Sequence, residues 1–181
     1  AELGGPAVIP SPLPAGGDLV SGAADAASIG SGNVFTSAGS AMTGAGVQAD
    51  GAIAINLDRS AELTGIDGGT LQLDVRNGDL TIGNIRAVGA ISVTGPGGAL
   101  SIGDIGTSAG HIGIAGQGNV TTGAVSGRFD IDIGSSAGSL TFRKITGGDV
   151  TLAAADGITA TGSDAGGFAG SLGLTAGGDG D

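Results

Sequence analysis

A few side chains in this sequence have the types and spacings that catalysis or ion binding would require. Asp130 and Asp132 stand two residues apart in Arg128-Phe129-Asp130-Ile131-Asp132-Ile133. On an extended backbone, residues i and i+2 share one face, so both carboxylates project together with Arg128 beside them. Paired carboxylates with a nearby base fit a polysaccharide hydrolase or lyase. The plainer reading is a solvated outer strand face, because the alternating Ile131 and Ile133 are the pair that must turn inward. His111 is the single histidine. It precedes an inward Ile112, so it is expected to point outward near a corner, as a surface residue. A metal at His111 would need ligands from distant parts of the sequence.

Other groups carry weaker chemistry. Gly177-Gly178-Asp179-Gly180-Asp181 echoes the opening of the calcium-binding nonapeptide repeat. That motif works in tandem, and here it stands once with no aliphatic after it. Loose divalent binding to an acidic surface is the expectation, not a specific site. Thr81, Ser101, Thr121, Thr141 and Thr159 form a row of hydroxyls at regular spacing. Such rows are one ingredient of ice-binding surfaces. Those surfaces use two parallel rows, however, and Thr is simply a good exposed strand residue. Arg143-Lys144 is the single basic dipeptide and reads as a salt bridge to a neighbouring turn. Asp67, Asp79, Asp104, Asp149 and Asp156 are expected to cap turns by accepting local N–H groups. No residue is therefore assigned a catalytic, cofactor-binding or metal-ligating role, no cofactor is expected, and the protein is expected not to be an enzyme.

The elements that position these residues follow from composition and period. Of 181 residues, 41 are glycine, and cysteine, tryptophan and tyrosine are absent. Six basic residues face seventeen acidic ones, for a formal charge of −11. Too few cations exist to neutralise a phosphate backbone, so nucleic acid is excluded as a partner. Without cysteine there is neither a disulfide scaffold nor a thiolate zinc site. The glycines keep no three-residue period, which excludes collagen. Hydrophobic residues make up 40%, too many for simple disorder. No run of about 18 apolar residues encodes a transmembrane helix, so no membrane insertion of this segment is expected. The core must be built from Ile, Leu, Val and Ala, which suits a thin, layered interior.

From Gly69 onward the sequence repeats in blocks of about twenty residues, each with three apolar stations. The first holds Leu71/Leu73/Val75, Ile91/Val93, Ile112/Ile114, Ile131/Ile133, Val150/Leu152 and Leu172/Leu174, at steps of 20, 21, 19, 19 and 22. The second holds Leu80/Ile82, Leu100/Ile102, Val120/Thr122, Leu140/Phe142 and Ile158/Ala160. The third is the lone series Ile85, Ile105, Val125 and Ile145, each 20 after the last. Val34 and Ile53/Ile55 extend the first station backwards, Met42 and Leu63 the second, and Val47 and Ile66 the third.

Alternation within each station predicts strands of about three to five residues, bounded by Gly, Asn, Asp and Ser turns. Strands recurring at twenty residues can pair with their own copies one turn later. The prediction is an all-β protein folded as a right-handed parallel β-helix, a solenoid of about 20 residues per turn. Glycine is expected to supply left-handed backbone conformations at the corners. An antiparallel sandwich is the rival fold. It has no reason to keep three stations in step at twenty residues. Residues 1–33, with Pro6, Pro10, Pro12 and Pro14, are expected to form a lead-in or poorly repetitive cap, and residues 34–181 the repeat array. The start at Ala1-Glu2-Leu3 reads as that of a processed or excised piece, and the whole as one stretch of a longer solenoid or end-to-end assembly.

Segments such as GDLTIGNIRAVGAISVTG and GGDVTLAAADGITATG resemble the haemagglutinin-type repeats of Gram-negative secreted adhesins, the filamentous haemagglutinins and autotransporter passengers. The resemblance covers roughly Val34 to the C-terminus. It implies a right-handed parallel β-helix, an extracellular or cell-surface location, and a role as a rigid stalk and contact surface. The implied partners are neighbouring repeats, copies of the protein itself, or a host or bacterial surface receptor. The alternatives are a self-assembling extracellular fibre subunit and, less favoured for want of Tyr and Trp to stack on sugars, a carbohydrate-active enzyme.

Overall fold

A computed structural model describes residues 19–21, 34–38, 42–44, 47–57, 61–95, 97–162 and 170–177. The Pro-rich start and Gly178–Asp181 lie outside the described residues. The described elements are all strands, and none is helical. In sequence order they are β1 (Leu19–Ser21), β2 (Val34–Ala38), β3 (Met42–Gly44), β4 (Val47–Leu57), β5 (Ala61–Val75) and β6 (Leu80–Ala87). There follow β7 (Ile91–Thr94), β8 (Leu100–Ile102), β9 (Ile105–Thr107), β10 (Ile112–Gly116) and β11 (Val120–Ser126). The last are β12 (Ile131–Ser135), β13 (Ser139–Thr146), β14 (Val150–Ala154), β15 (Gly157–Ala160) and β16 (Leu172–Ala176). A sequence this rich in glycine disfavours helix, since each interior Gly costs about 1 kcal/mol relative to Ala.

Every strand pairing among the described residues runs parallel, and each joins a strand to its copy one coil away. In the first-station ladder Ile112 pairs with Ile91 on one side and Ile131 on the other, and Ile114 with Val93 and Ile133. In the second ladder Leu100 pairs with Leu80 and Val120. In the third Ile105 pairs with Ile85 and Val125. The protein is a parallel β-solenoid with coils about 20 residues apart, as the three stations predict.

From Ile53 to Leu152 the side chains of the three stations point inward and meet, whereas Ile158 is half-buried and Ala160, Leu172 and Leu174 are exposed. Ile85, Ile105, Val125 and Ile145 are all buried, as are Leu80, Leu100, Val120 and Leu140. These columns form one continuous core from Ile53 to Ala154. Like side chains stack on like at strand spacing, about 4.8 Å, so a narrow interior is filled without large aromatic rings. Among the described residues Phe142 is the one ring in that core.

Several details differ from the sequence expectation. Some strands are longer than three to five residues: β4 has 11 and β5 has 15, because each runs on from one ladder into the next, with a register shift between Ala49 and Ala52 at the corner. Met42 and Leu63 both lie in the second ladder, but in adjacent columns. Met42 pairs with Ala61, while Leu63 pairs with Gly44 and Ile82. The first ladder also reaches further back than Val34, since Leu19 pairs with Val34 and Ser21 with Thr36.

The corner glycines serve a different purpose from the one expected. Among the described residues only Gly78 has a positive φ, 87°. At several other corners glycine is needed because successive coils approach too closely for a Cβ, while Gly157 has open space there. A methyl group on Gly103 would collide with the carbonyl oxygen of Gly83, and one on Gly123 with the carboxylate of Asp104. Stacking of backbone on backbone, more than backbone dihedral freedom, selects glycine at these positions.

The inward and outward assignment can be tested by substitution. Ile105 is 2% exposed, and Ile105→Asp would bury an uncompensated carboxylate at a cost of several kcal/mol. Ser101→Asp, on the outward side of β8, should leave the thermal midpoint nearly unchanged, so equal effects of the two changes would refute the assignment. Thr122 occupies a core column between Ile102 and Phe142, and its Oγ1 is buried without a hydrogen-bond partner. Thr122→Val keeps the shape and removes that desolvated hydroxyl, so denaturant unfolding should show a gain of about 1–3 kcal/mol.

Candidate functional site

The coil is not equally variable along its path. From the second-station leader to the third is always five residues, as in Leu80 to Ile85, Leu100 to Ile105, Val120 to Val125 and Leu140 to Ile145. From the third station to the next first station the spacing runs six, seven, six and five residues, starting from Ile85, Ile105, Val125 and Ile145. The first corner is tight and uniform. The second varies most, the span from first to second station changing only between eight and nine residues, and it carries His111, Phe129 and Asp130.

At the corners, polar side chains bridge from coil to coil. The Ala99 N–H donates to Asp79 Oδ1 at 2.8 Å, and the Ser139 N–H to Asn119 Oδ1 at 3.0 Å. One corner on, the Asp104 N–H donates to Asn84 Oδ1 at 2.9 Å, and the Ala124 N–H to Asp104 Oδ1 at 2.8 Å. The acceptor lies 20 residues before its donor in each case. Asp79, Asp104 and Asp149 thus serve N–H groups of the next coil, where the sequence predicts local capping. The reason is geometric: in a stacked coil the nearest N–H needing an acceptor at a corner belongs to the copy above. The 20-residue recurrence of Asp and Asn just before a station leader is the signal for it in the sequence.

Arg143 Nη2 lies 2.7 Å from Asp104 Oδ1. The guanidinium reaches two coils back, across Gly123, whose missing side chain leaves room for it. The expected salt bridge of Arg143 is therefore present, with a partner one coil further away than a neighbouring turn. The Ala124 N–H, then the Arg143 guanidinium, hold the Asp104 carboxyl below its ordinary value. Asp149 Oδ1 accepts the Ser171 N–H at 2.6 Å and the Ser171 hydroxyl at 2.9 Å, and both hold its carboxyl low.

At the variable corner, His111 Nδ1 lies 3.4 Å from Asp130 Oδ2, and the His111 and Phe129 rings have centroids 5.8 Å apart. All three residues are exposed, Phe129 at 47%. His111 is the surface residue expected, and its pairing with Asp130 is an addition that the sequence reading lacks. The 19-residue step from Ile112 to Ile131 carries 111 onto 130, so the register holds the information. Asp132 stands apart from this pair. Its register neighbours are Gly113 and Thr151, so no carboxylate column forms through it. Asp132 lines a shallow depression on the outer face of the first ladder, with Ser92, Gly113, Ala115, Gly134 and Thr151. The depression exists because that face carries glycine and alanine where its neighbours carry longer side chains.

The hydroxyl row is a true column. Thr81 pairs with Ser101, Ser101 with Thr121, Thr121 with Thr141 and Thr141 with Thr159, and Glu62 stands next to Thr81 at its start. Among the described residues no three His, Asp or Glu side chains gather as a metal site. Of Gly177–Asp181 only Gly177 is described, and its N–H donates to the Ala154 carbonyl.

These features define the class: a parallel β-solenoid repeat protein whose polar side chains stitch coil to coil. No protein-family model, curated protein or solved structure matches the sequence.

The bridging carboxylates predict an acid-dependent stability. Asp104 and Asp149 titrate below the ordinary 3.8 in the folded state, so the unfolded state binds more protons in that window. Their contribution is complete above that value and is lost as pH falls through the folded values. In the double variant Asp104→Asn/Asp149→Asn the side-chain acceptor oxygens persist, as at Asn84 and Asn119. The variant's thermal midpoint should lie modestly below the parent's at neutral pH, where the charged carboxylates contribute, and should fall less steeply below about pH 4, so that the two converge in acid.

Proposed function

We propose that this protein is a non-enzymatic structural stretch of a secreted or surface-displayed bacterial adhesin, in which the solenoid serves as a rigid stalk and contact surface. One observation carries the reading: the columns of the three stations stay in register as one core from Ile53 to Ala154, with Thr122 the one polar side chain standing in a station there. Each coil is fixed to the next by a backbone ladder and a packed column, which makes a rod that resists bending. The outward columns carry mainly Gly, Ser, Thr and Asp, a polar face that varies freely without disturbing the core. The likeness of GDLTIGNIRAVGAISVTG to haemagglutinin-type repeats supports an extracellular adhesin over other uses of a rod. Neighbouring repeats are the first partner in this reading, and a host or bacterial surface receptor the second.

A second reading, an extracellular fibre built by end-to-end stacking, is favoured by one feature. Leu172 and Leu174 of β16 continue the first-station columns yet are 44% and 60% exposed, where Val150 and Leu152 below them are 1% exposed. Apolar side chains and unpaired strand groups at a sheet edge template further strands. The charge of −11 opposes side-by-side clumping and leaves axial growth open.

Sedimentation velocity over a range of concentrations and salt separates the two. A stalk sediments as one elongated species at all concentrations. A fibre subunit grows with concentration, and Leu174→Lys should suppress that growth. The adhesin reading further expects saturable attachment of the labelled protein to cell surfaces, and no shortening of acidic or neutral polysaccharides. Polysaccharide cleavage abolished by Asp130→Asn/Asp132→Asn would overturn it.

A further inference from the structure

The described asparagines sit in two kinds of place. Asn56 lies within β4 and Asn84 within β6, and Asn119 immediately precedes β11. Asn84 Oδ1 accepts the Asp104 N–H, and Asn119 Oδ1 the Ser139 N–H. The backbone nitrogen that follows Asn84, that of Ile85, donates to the Asp104 carbonyl at 2.8 Å. The nitrogen that follows Asn119 belongs to Val120, in register between Leu100 and Leu140. Asn77 stands elsewhere. It occupies an exposed bend between β5 and β6 and is followed by Gly78, itself exposed and at φ 87°.

We propose that Asn77-Gly78 is a self-modification site, at which the folded protein turns Asn77 into aspartate and isoaspartate while Asn56, Asn84 and Asn119 are protected. The chemistry needs only water. The Gly78 backbone nitrogen attacks Asn77 Cγ, a new bond forms between them, and the bond from Cγ to the amide nitrogen Nδ2 breaks. The proton from the Gly78 nitrogen passes to the departing amide nitrogen, which leaves as ammonia and gives a cyclic imide. Water then opens either carbonyl of the ring. One opening yields aspartate, and the other yields isoaspartate, with the backbone running through the former side-chain methylene.

The fold decides which asparagines can follow this path. Attack requires the following nitrogen to swing towards Cγ and give up its proton. At Asn84 that N–H is committed to the ladder, and Ile85 is β-branched. Val120 is likewise β-branched and strand-bound, and Asn56 lies within β4, one residue from its end, between Ser37 and Asp74 in register. At Asn77 the attacking residue has no Cβ, and the bend lies outside the strands. The product places a carboxylate two residues from Asp79, whose Oδ1 holds the Ala99 N–H. The isoaspartate form also lengthens the backbone next to Gly78, whose carbonyl accepts the Gly98 N–H at 3.1 Å. Conversion therefore adds negative charge and loosens one coil-to-coil contact at the same corner.

The test is to hold the folded protein at mildly alkaline pH and map peptides over time by mass spectrometry, with enzymatic isoaspartate labelling. The mass gain of an NH2-to-OH exchange should appear first in the peptide holding Asn77, together with the isoaspartate label. Asn77→Gln should abolish both, with its circular dichroism unchanged. In urea, Asn84 and Asn119 should begin to convert while Asn77 converts much as before. Conversion of Asn77 in urea but not in the folded state would overturn the proposal. So would folded-state conversion of Asn84 or Asn119 at the rate of Asn77.

Discussion

The backbone hydrogen bonds between successive coils are the interaction on which the rest of this structure depends. A parallel strand satisfies its N–H and C=O groups only on its neighbours, and here the neighbours are copies one coil away. The Leu80 N–H donates to the Ala99 carbonyl, the Leu100 N–H to Asn119, and the Ile85 N–H to Asp104. For these bonds to form, each coil must return to the same place on nearly the same path length. A strand that slips by one residue against its copy turns its aliphatic side chains to solvent and its outward side chains to the core, so length differences are confined to the corners. The near-constant step of twenty residues is the trace of that demand.

Once coils are in register, the side chains inherit an order that no local rule would give them. Identical stations stack into columns, so Ile, Leu and Val suffice for the core. Corner Asp and Asn residues find the N–H of the next coil nearer than any local one. Carbonyls of one coil come so close to the next that Gly103 and Gly123 admit no side chain. Arg143 can span two coils to Asp104 because the intervening position is Gly123. Each of these is a consequence of translation along one axis, and each adds only a modest amount to stability. Their sum, repeated coil after coil, holds the protein together without disulfides or large rings.

The same geometry separates the part of the coil whose shape is fixed from the part that is free to vary. The corner between the second and third stations keeps one length and is stitched by Asx side chains. The corner that leads back to the first station changes length from coil to coil. It exposes Val88, Phe129, His111 and Asp130 to solvent. Variation there costs the core nothing, and that is where a repeat protein of this kind has room to alter what it presents.

The sequence by itself determined the all-β class, the parallel coil near twenty residues, and the inward columns. Those follow from periodicity, because burial of every second residue along a strand is the same requirement in every coil. It also determined the outward hydroxyl column and the exposure of His111. Tertiary structure decided which of the outward side chains brought near one another by that register make contact. The His111–Asp130 pair and the Arg143–Asp104 bridge depend on where 19- and 20-residue steps place side chains, and on which way each one leans. The reach of Asp79 and Asp104 to the coil above, in place of their own turns, was decided the same way. So was the role of glycine at the corners. A glycine looks the same in a sequence whether it serves a left-handed dihedral or a close approach, and only the stacked backbones distinguish Gly78 from Gly103.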